Sequence, residues 1–98
     1  MTSEKRVVIV TGAAEGIGRG IATRLAKDGL DVGLFDLPHA RERLEELAEE
    51  LKQAYGVRVV VVFGDVSQEE DVHRLVETVL SELGSLYAVR VGHALQAR

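Results

Sequence analysis

With 98 residues the chain holds one domain at most, of a size that buries only about 60 to 70% of its unfolded surface. A formal net charge of −4 gives no electrostatic footprint for nucleic acid or anionic lipid, so neither partner is expected. The absence of cysteine excludes disulfides, thiolate catalysis and a cysteine-based metal site.

In chain order, the first predicted strand runs from Lys5 to Thr11, and its near-continuous Val and Ile content suits the middle of a parallel sheet, buried on both faces. It leads straight into Gly12, Gly16 and Gly18, spaced four and two apart, and then into a helix. That arrangement is a phosphate cradle. Gly12 permits the sharp turn, Gly16 lets the main chain approach a pyrophosphate, and Gly18 allows close helix packing. The unpaired N–H groups of the helix N-terminus favour an anion without any basic side chain, so Glu15 does not disqualify the site. The helix is expected from Ile17 to Asp28, with Ile17, Ile21 and Leu25 on one stripe, Ala22 and Ala26 beside it, and Gly29 as a left-handed cap.

Asp31 to Asp36 reads as the second strand, closed by Leu37-Pro38 because proline has no N–H for the ladder. Asp36 lies about 20 residues beyond the glycine turn, where an acid in this kind of fold accepts hydrogen bonds from an adenosine ribose. Its charge repels a 2′-phosphate, and neither Glu15 nor Leu37 supplies the cation such a phosphate requires, so NAD is expected over NADP. The competing reading of Asp36 is an acid that merely starts a loop. A helix from His39 to Tyr55 follows, with Leu44, Leu47 and Leu51 inward and a solvated charged outer side, stopped by Gly56. Val57 to Phe63 is the third strand; its run from Val59 is the longest apolar stretch, far too short to span a bilayer. Asp65-Val66 then falls at the carboxyl edge of the sheet, where open parallel sheets bind ligands. Ser67 and Glu70 form a capping box for a third helix whose Val72, Leu75, Val76, Val79, Leu80 and Leu83 recur at helical spacing up to Gly84. A fourth strand is expected from Leu86. No residue spacing suggests a metal site, and His39, His73 and His93 receive no role.

Alternating strands and helices predict an α/β, Rossmann-type doubly wound parallel sheet, partial, in the order 3-2-1-4. The first two helices then share one face and the third lies alone on the other, with part of that face bare and the fourth strand an open edge. Self-association through that edge is expected. Met1-Thr2-Ser3-Glu4 lacks a signal-peptide hydrophobic region, which makes a cytoplasmic location the expectation.

The spacing Gly-x-x-x-Gly-x-Gly with Thr11 in front resembles the short-chain dehydrogenase/reductase family, whose members are NAD(P)-dependent oxidoreductases. The resemblance implies that the main chain at Ile17 contacts the pyrophosphate, that Asp65 bonds the adenine amino group, and that Val66 offers its backbone N–H. Without it, Asp65 reads as a turn residue before the third helix. The resemblance covers Lys5 to about Val89, so residues 1–89 read as an NAD-binding half-domain and 90–98 as a divergent tail. There the family continues into Asn-Ala-Gly, whereas this chain has Arg90-Val91-Gly92-His93-Ala94 and no Asn anywhere. The family's catalytic Ser and Tyr-x-x-x-Lys have no counterpart, since Tyr55 and Tyr87 are followed four positions on by Val59 and Val91. No residue is therefore assigned a catalytic role. The abrupt break predicts a truncation with an altered tail, inactive alone; the alternatives are a nucleotide-binding or partner-binding fragment and a product without function. Arg90 in a covered strand is expected to reach past the open edge to water. Arg24 to Val32 is similar to diketone and acetoin reductases of the family, but lies outside any substrate pocket, so no substrate follows.

Overall fold

The computed structural model describes residues 6–86 and, as backbone, 88–91. Four parallel strands form one sheet: β1 (Val7–Thr11), β2 (Asp31–Asp36), β3 (Val59–Phe63) and β4 (Ala88–Val91), in the order β3-β2-β1-β4. Helices α1 (Gly16–Lys27), α2 (Arg41–Tyr55) and α3 (Glu69–Leu83) make the crossovers. The expected strand order is therefore the observed one.

Strand alternation sorts the core into two layers. Val8, Val10, Val32 and Leu34 point toward α1 and α2, packing with Ala22, Ala26, Leu44, Leu47 and Leu51. Val7, Ile9, Phe35 and Val62 point the other way, toward Leu75, Val79 and Leu83 of α3. The second layer is tight enough at its centre that a side chain on Gly33 would sit 2.7 Å from Val79 Cγ2. The bare patch expected beneath α3 is absent from the β1 and β2 part of that face, because Val7, Ile9 and Phe35 are fully buried and Leu86 folds in beside them.

Several local expectations are corrected. In α1 the residues pressed on the sheet are Gly18, Ala22 and Ala26, whereas Ile17 is 49% exposed and Ile21 and Leu25 are only partly covered. Close approach selects the small residues, turning the large ones to the flanks. Pro38–Ala40 is a single 3-10 turn before α2, since proline fits the first turn of a helix but not its interior. The β3 ladder starts at Val59, two residues later than expected, where Arg58 gives its N–H to the Asp31 carboxylate. Leu80 is 45% exposed and leaves the buried stripe of α3. The capping box does not form: Gln68 is the N-cap with no side-chain bond, and Ser67 donates both its N–H and its hydroxyl to Asp65 Oδ1. A carboxylate two residues upstream outcompetes the helix for that serine. The fourth strand begins at Ala88 instead of Leu86. Its register places Arg90 opposite Val10. The expectations for the Arg90 side chain, Tyr87 and residues 92–98 lie outside the described residues.

Candidate nucleotide-binding cleft

At the carboxyl ends of β1, β2 and β3 lies a cleft of about 340 Å³, within the range of small-molecule sites. It gathers Gly12, Ile17, Gly18, Asp36, Asp65 and Val66 from the residues singled out in the sequence, and adds Glu15, Phe35, Leu37 and Gly64. Gly16, between Glu15 and Ile17 in sequence, is not one of the lining residues. Ile17, Leu37 and Val66 are three of the five large apolar side chains exposed among the described residues, and all three face this one cleft. Their exposure thus has a common site.

The glycine turn is built as its spacing requires. Gly12 and Gly16 adopt φ +65° and +63°, a region that disfavours side chains. A Cβ on Gly18 would lie 2.0 Å from the Gly12 carbonyl oxygen, so helix and turn touch backbone to backbone. Outside Gly16 nothing stands within 4 Å of where a Cβ would be, leaving its main chain open to approach. Glu15 is the N-cap of α1 and makes no side-chain cap, so the N–H groups of the first turn gain no capping carboxylate. These features fit an anionic pyrophosphate group.

Hydrogen bonds across the strand ends hold the cleft's floor. Ala13 N–H donates to Phe35 O at 3.2 Å and Gly64 N–H to Asp36 O at 3.0 Å. The Asp36 carboxylate accepts from Ala14 N–H at 2.9 Å on Oδ2 and from Leu37 N–H at 2.8 Å on Oδ1. Both donors are neutral amides. Behind the turn, Arg19 Nη1 donates to Ala14 O at 2.9 Å, while Glu15 forms an ion pair with Arg43 of α2. On the far wall, Asp65 N–H donates to Asp71 Oδ2 at 2.9 Å, and Arg74 Nη1 donates to Asp71 Oδ1 at 2.9 Å. The Asp65 amide first, and then Arg74, hold the Asp71 carboxyl below its ordinary range.

Sequence reasoning missed Asp71 and Arg74 altogether, because their partners are fixed by the turn between β3 and α3 and carry no motif. It weighed Glu15 as an acid beside the phosphate site and as a missing cation, and did not foresee its ion pair with Arg43. Asp65 serves the turn, as one reading held, and also lines the cleft. His39 is exposed and His73 lies 3.1 Å from Glu77 on the outer face of α3. Among the described residues no group of three His, Cys, Asp or Glu is arranged to hold a metal, and no helix is long and apolar enough to cross a membrane.

Residues 6–94 match the family model described as short chain dehydrogenase. A short-chain dehydrogenase/reductase of Hericium erinaceus is 49% identical over 86 residues, covering 86% of this chain and 34% of the relative. The diacetyl reductase [(S)-acetoin forming] of Staphylococcus epidermidis is 40% identical over 81 residues, covering 83% of this chain and 30% of the relative. In solved structures, an alcohol dehydrogenase from Thermococcus sibiricus complexed with 5-hydroxy-NADP superposes with a TM-score of 0.81 at 40% identity, covering 88% of this chain and 36% of that one. L-sorbose reductase from Gluconobacter frateurii, complexed with NADPH and L-sorbose, gives 0.80 at 38% identity, covering 87% and 32%. The chain thus spans about a third of the length of these relatives.

Proposed function

Because this chain belongs to the short-chain dehydrogenase family, we propose that it binds the adenosine and pyrophosphate portion of a nicotinamide dinucleotide for an oxidoreductase, and prefers NAD to NADP. The observation that carries the preference is the Asp36 carboxylate in the lining of the cleft, held by two neutral amides with no cation partner among the described residues. Its remaining lone pairs accept the two ribose hydroxyls, and its charge repels a 2′-phosphate. Arg43 pairs with Glu15 and is not among the partners of Asp36. The two structural relatives have complexes that contain NADPH or 5-hydroxy-NADP, and the preference proposed for this chain rests on Asp36.

In this reading Gly12, Gly16, Gly18 and the Ile17 main chain hold the pyrophosphate, and Leu37 and Val66 flank the base with Asp65 at its edge. The nicotinamide ring, when bound, supplies or accepts hydride. These 98 residues contribute binding and orientation but contain no tyrosine with a lysine four positions on, so they offer no counterpart to the acid that protonates an alkoxide. Ketone reduction by this chain alone is not expected. Calorimetry of the unaltered chain with NAD and NADP tests the assignment: NAD is expected to bind more tightly, and tighter binding of NADP would reject the role given to Asp36.

A second reading concerns the sheet edge. β4 pairs with β1 alone among the described strands, and the unpaired groups on its other side favour addition of a strand from another chain. Self-association that rises with concentration in size-exclusion chromatography is expected, and a concentration-independent monomer would reject it.

A further inference from the structure

The far wall of the cleft is held by a device that the glycine turn and Asp36 do not account for. Three polar groups of the Phe63-Gly64-Asp65 backbone are fixed from outside the segment. Arg74 Nη2 donates to Phe63 O at 2.5 Å, Gly64 N–H donates to Asp36 O at 3.0 Å, and Asp65 N–H donates to Asp71 Oδ2 at 2.9 Å. Arg74 and Asp71 also bond each other, so one ion pair grips the chain on both sides of Gly64. Asp71 is the third residue of α3, the position from which an acid ordinarily reaches back to the N-cap amide. Here it passes the N-cap, Gln68, and lands on Asp65. It stands so close to the segment that a side chain on Gly64 would meet Asp71 Cβ at 2.9 Å and Cγ at 3.0 Å. The ring of Phe63 is covered in turn by the Arg41 guanidinium, 4.4 Å from its centroid.

We propose that Asp71 and Arg74 are positioning residues for the base end of the cleft: their ion pair clamps Phe63-Gly64-Asp65 and thereby sets where Asp65 and Val66 meet a purine. The inference rests on the nucleotide-binding reading above. Its physical sense lies in the demands of base recognition. Apolar flanking by Leu37 and Val66 tolerates a small displacement, whereas a hydrogen bond to the edge of a base weakens steeply with distance and angle. Neither Asp71 nor Arg74 lines the cleft, so both act through the backbone they hold.

ADP and IDP serve as probes, because they share ribose and pyrophosphate and differ at the purine 6-position, amino against keto. The unaltered chain is expected to bind ADP more tightly than IDP. Asp71→Ala should bring that ratio toward one; Arg74→Ala should move it the same way by less, and Arg74→Lys should restore part of it. Partial unfolding lowers both affinities together and leaves the ratio unmoved, so a ratio unchanged in Asp71→Ala and Arg74→Ala overturns the proposal. The half-exposed Arg74 provides the reading even where Asp71→Ala fails to fold. If the unaltered chain does not separate ADP from IDP, the adenine reading falls, and amide exchange at Asp65 in the ligand-free chain judges the clamp. Exchange faster by about tenfold in Asp71→Ala supports it. Unchanged exchange overturns it.

Discussion

Asp31 and Asp36 stand at opposite ends of β2, and they are satisfied by different kinds of donor. Asp31 is fully buried, and its carboxylate takes Arg58 Nε at 2.9 Å, Arg58 Nη2 at 2.8 Å and the Arg58 backbone N–H at 2.9 Å. Arg58 in turn donates to Leu83 O at 3.3 Å, so this end of the sheet ties β2, the entry to β3 and the end of α3 together. Asp36 receives two backbone amides and, among the described residues, no cation. The same side chain is closed off as a structural tie where a guanidinium neutralises it, and keeps lone pairs free at the cleft where neutral amides hold it. One strand thus carries an anchoring end and, on the proposed function, a binding end.

The largest expected effect tests the anchoring end. Asp31→Ala leaves the Arg58 guanidinium without its carboxylate and should cost about 3 kcal/mol, toward the low end for a broken buried pair because the arginine is half exposed. Urea melts read the loss. The NAD-to-NADP preference of the folded fraction should not change, and a changed preference would mean that the two ends of β2 are not separable.

A smaller effect tests the binding end. Asp36→Ala removes two amide acceptors near the surface, a loss of about 1 kcal/mol per bond at most, while shifting the NAD-to-NADP affinity ratio by about tenfold toward NADP. Titration calorimetry alongside the same melts separates the terms. A destabilisation as large as that of Asp31→Ala, with the ratio unmoved, would make Asp36 a second anchor and erase the contrast.

How far this contrast was legible depends on sequence separation. The bounds of β2 were readable from Gly29 before it and Pro38 after it, and the glycine spacing gave the turn, because both are local conformational constraints. Asp36 was legible as the acid beyond that turn. Asp31 was not, since its partner lies 27 residues away and meets it only through the register that sets Val32 beside Val59. Hydrophobic periodicity misplaced the inner face of α1 because it weighs large residues such as Ile17, while contact with the glycine turn selects Gly18 and close packing in the core selects Ala22 and Ala26. The capping box failed for a related reason: Ser67 fits the motif, but Asp65 lies nearer and is charged.

The smallest expected effect sharpens the contrast by pH. Asp71 braces the binding end, and its carboxyl titrates below its ordinary value of 3.8 because the Asp65 amide and Arg74 favour the charged form. A folded-state value depressed below the unfolded one means that protons bind more readily to the unfolded chain. The contribution to stability is therefore fully present above the unfolded value and is lost as pH falls through the folded one. Thermal melts of the unaltered chain and Asp71→Asn should differ by a constant amount down to about pH 5 and converge below 4, the asparagine variant having nothing to lose at this position. Amide exchange resolved by residue should place the acid-induced loosening at Asp65, while the Arg58 amide at the anchoring end keeps its relative protection. Convergence absent down to pH 3, or loosening that begins at Arg58, would show that the brace at Asp71 does not govern the acid response of the binding end.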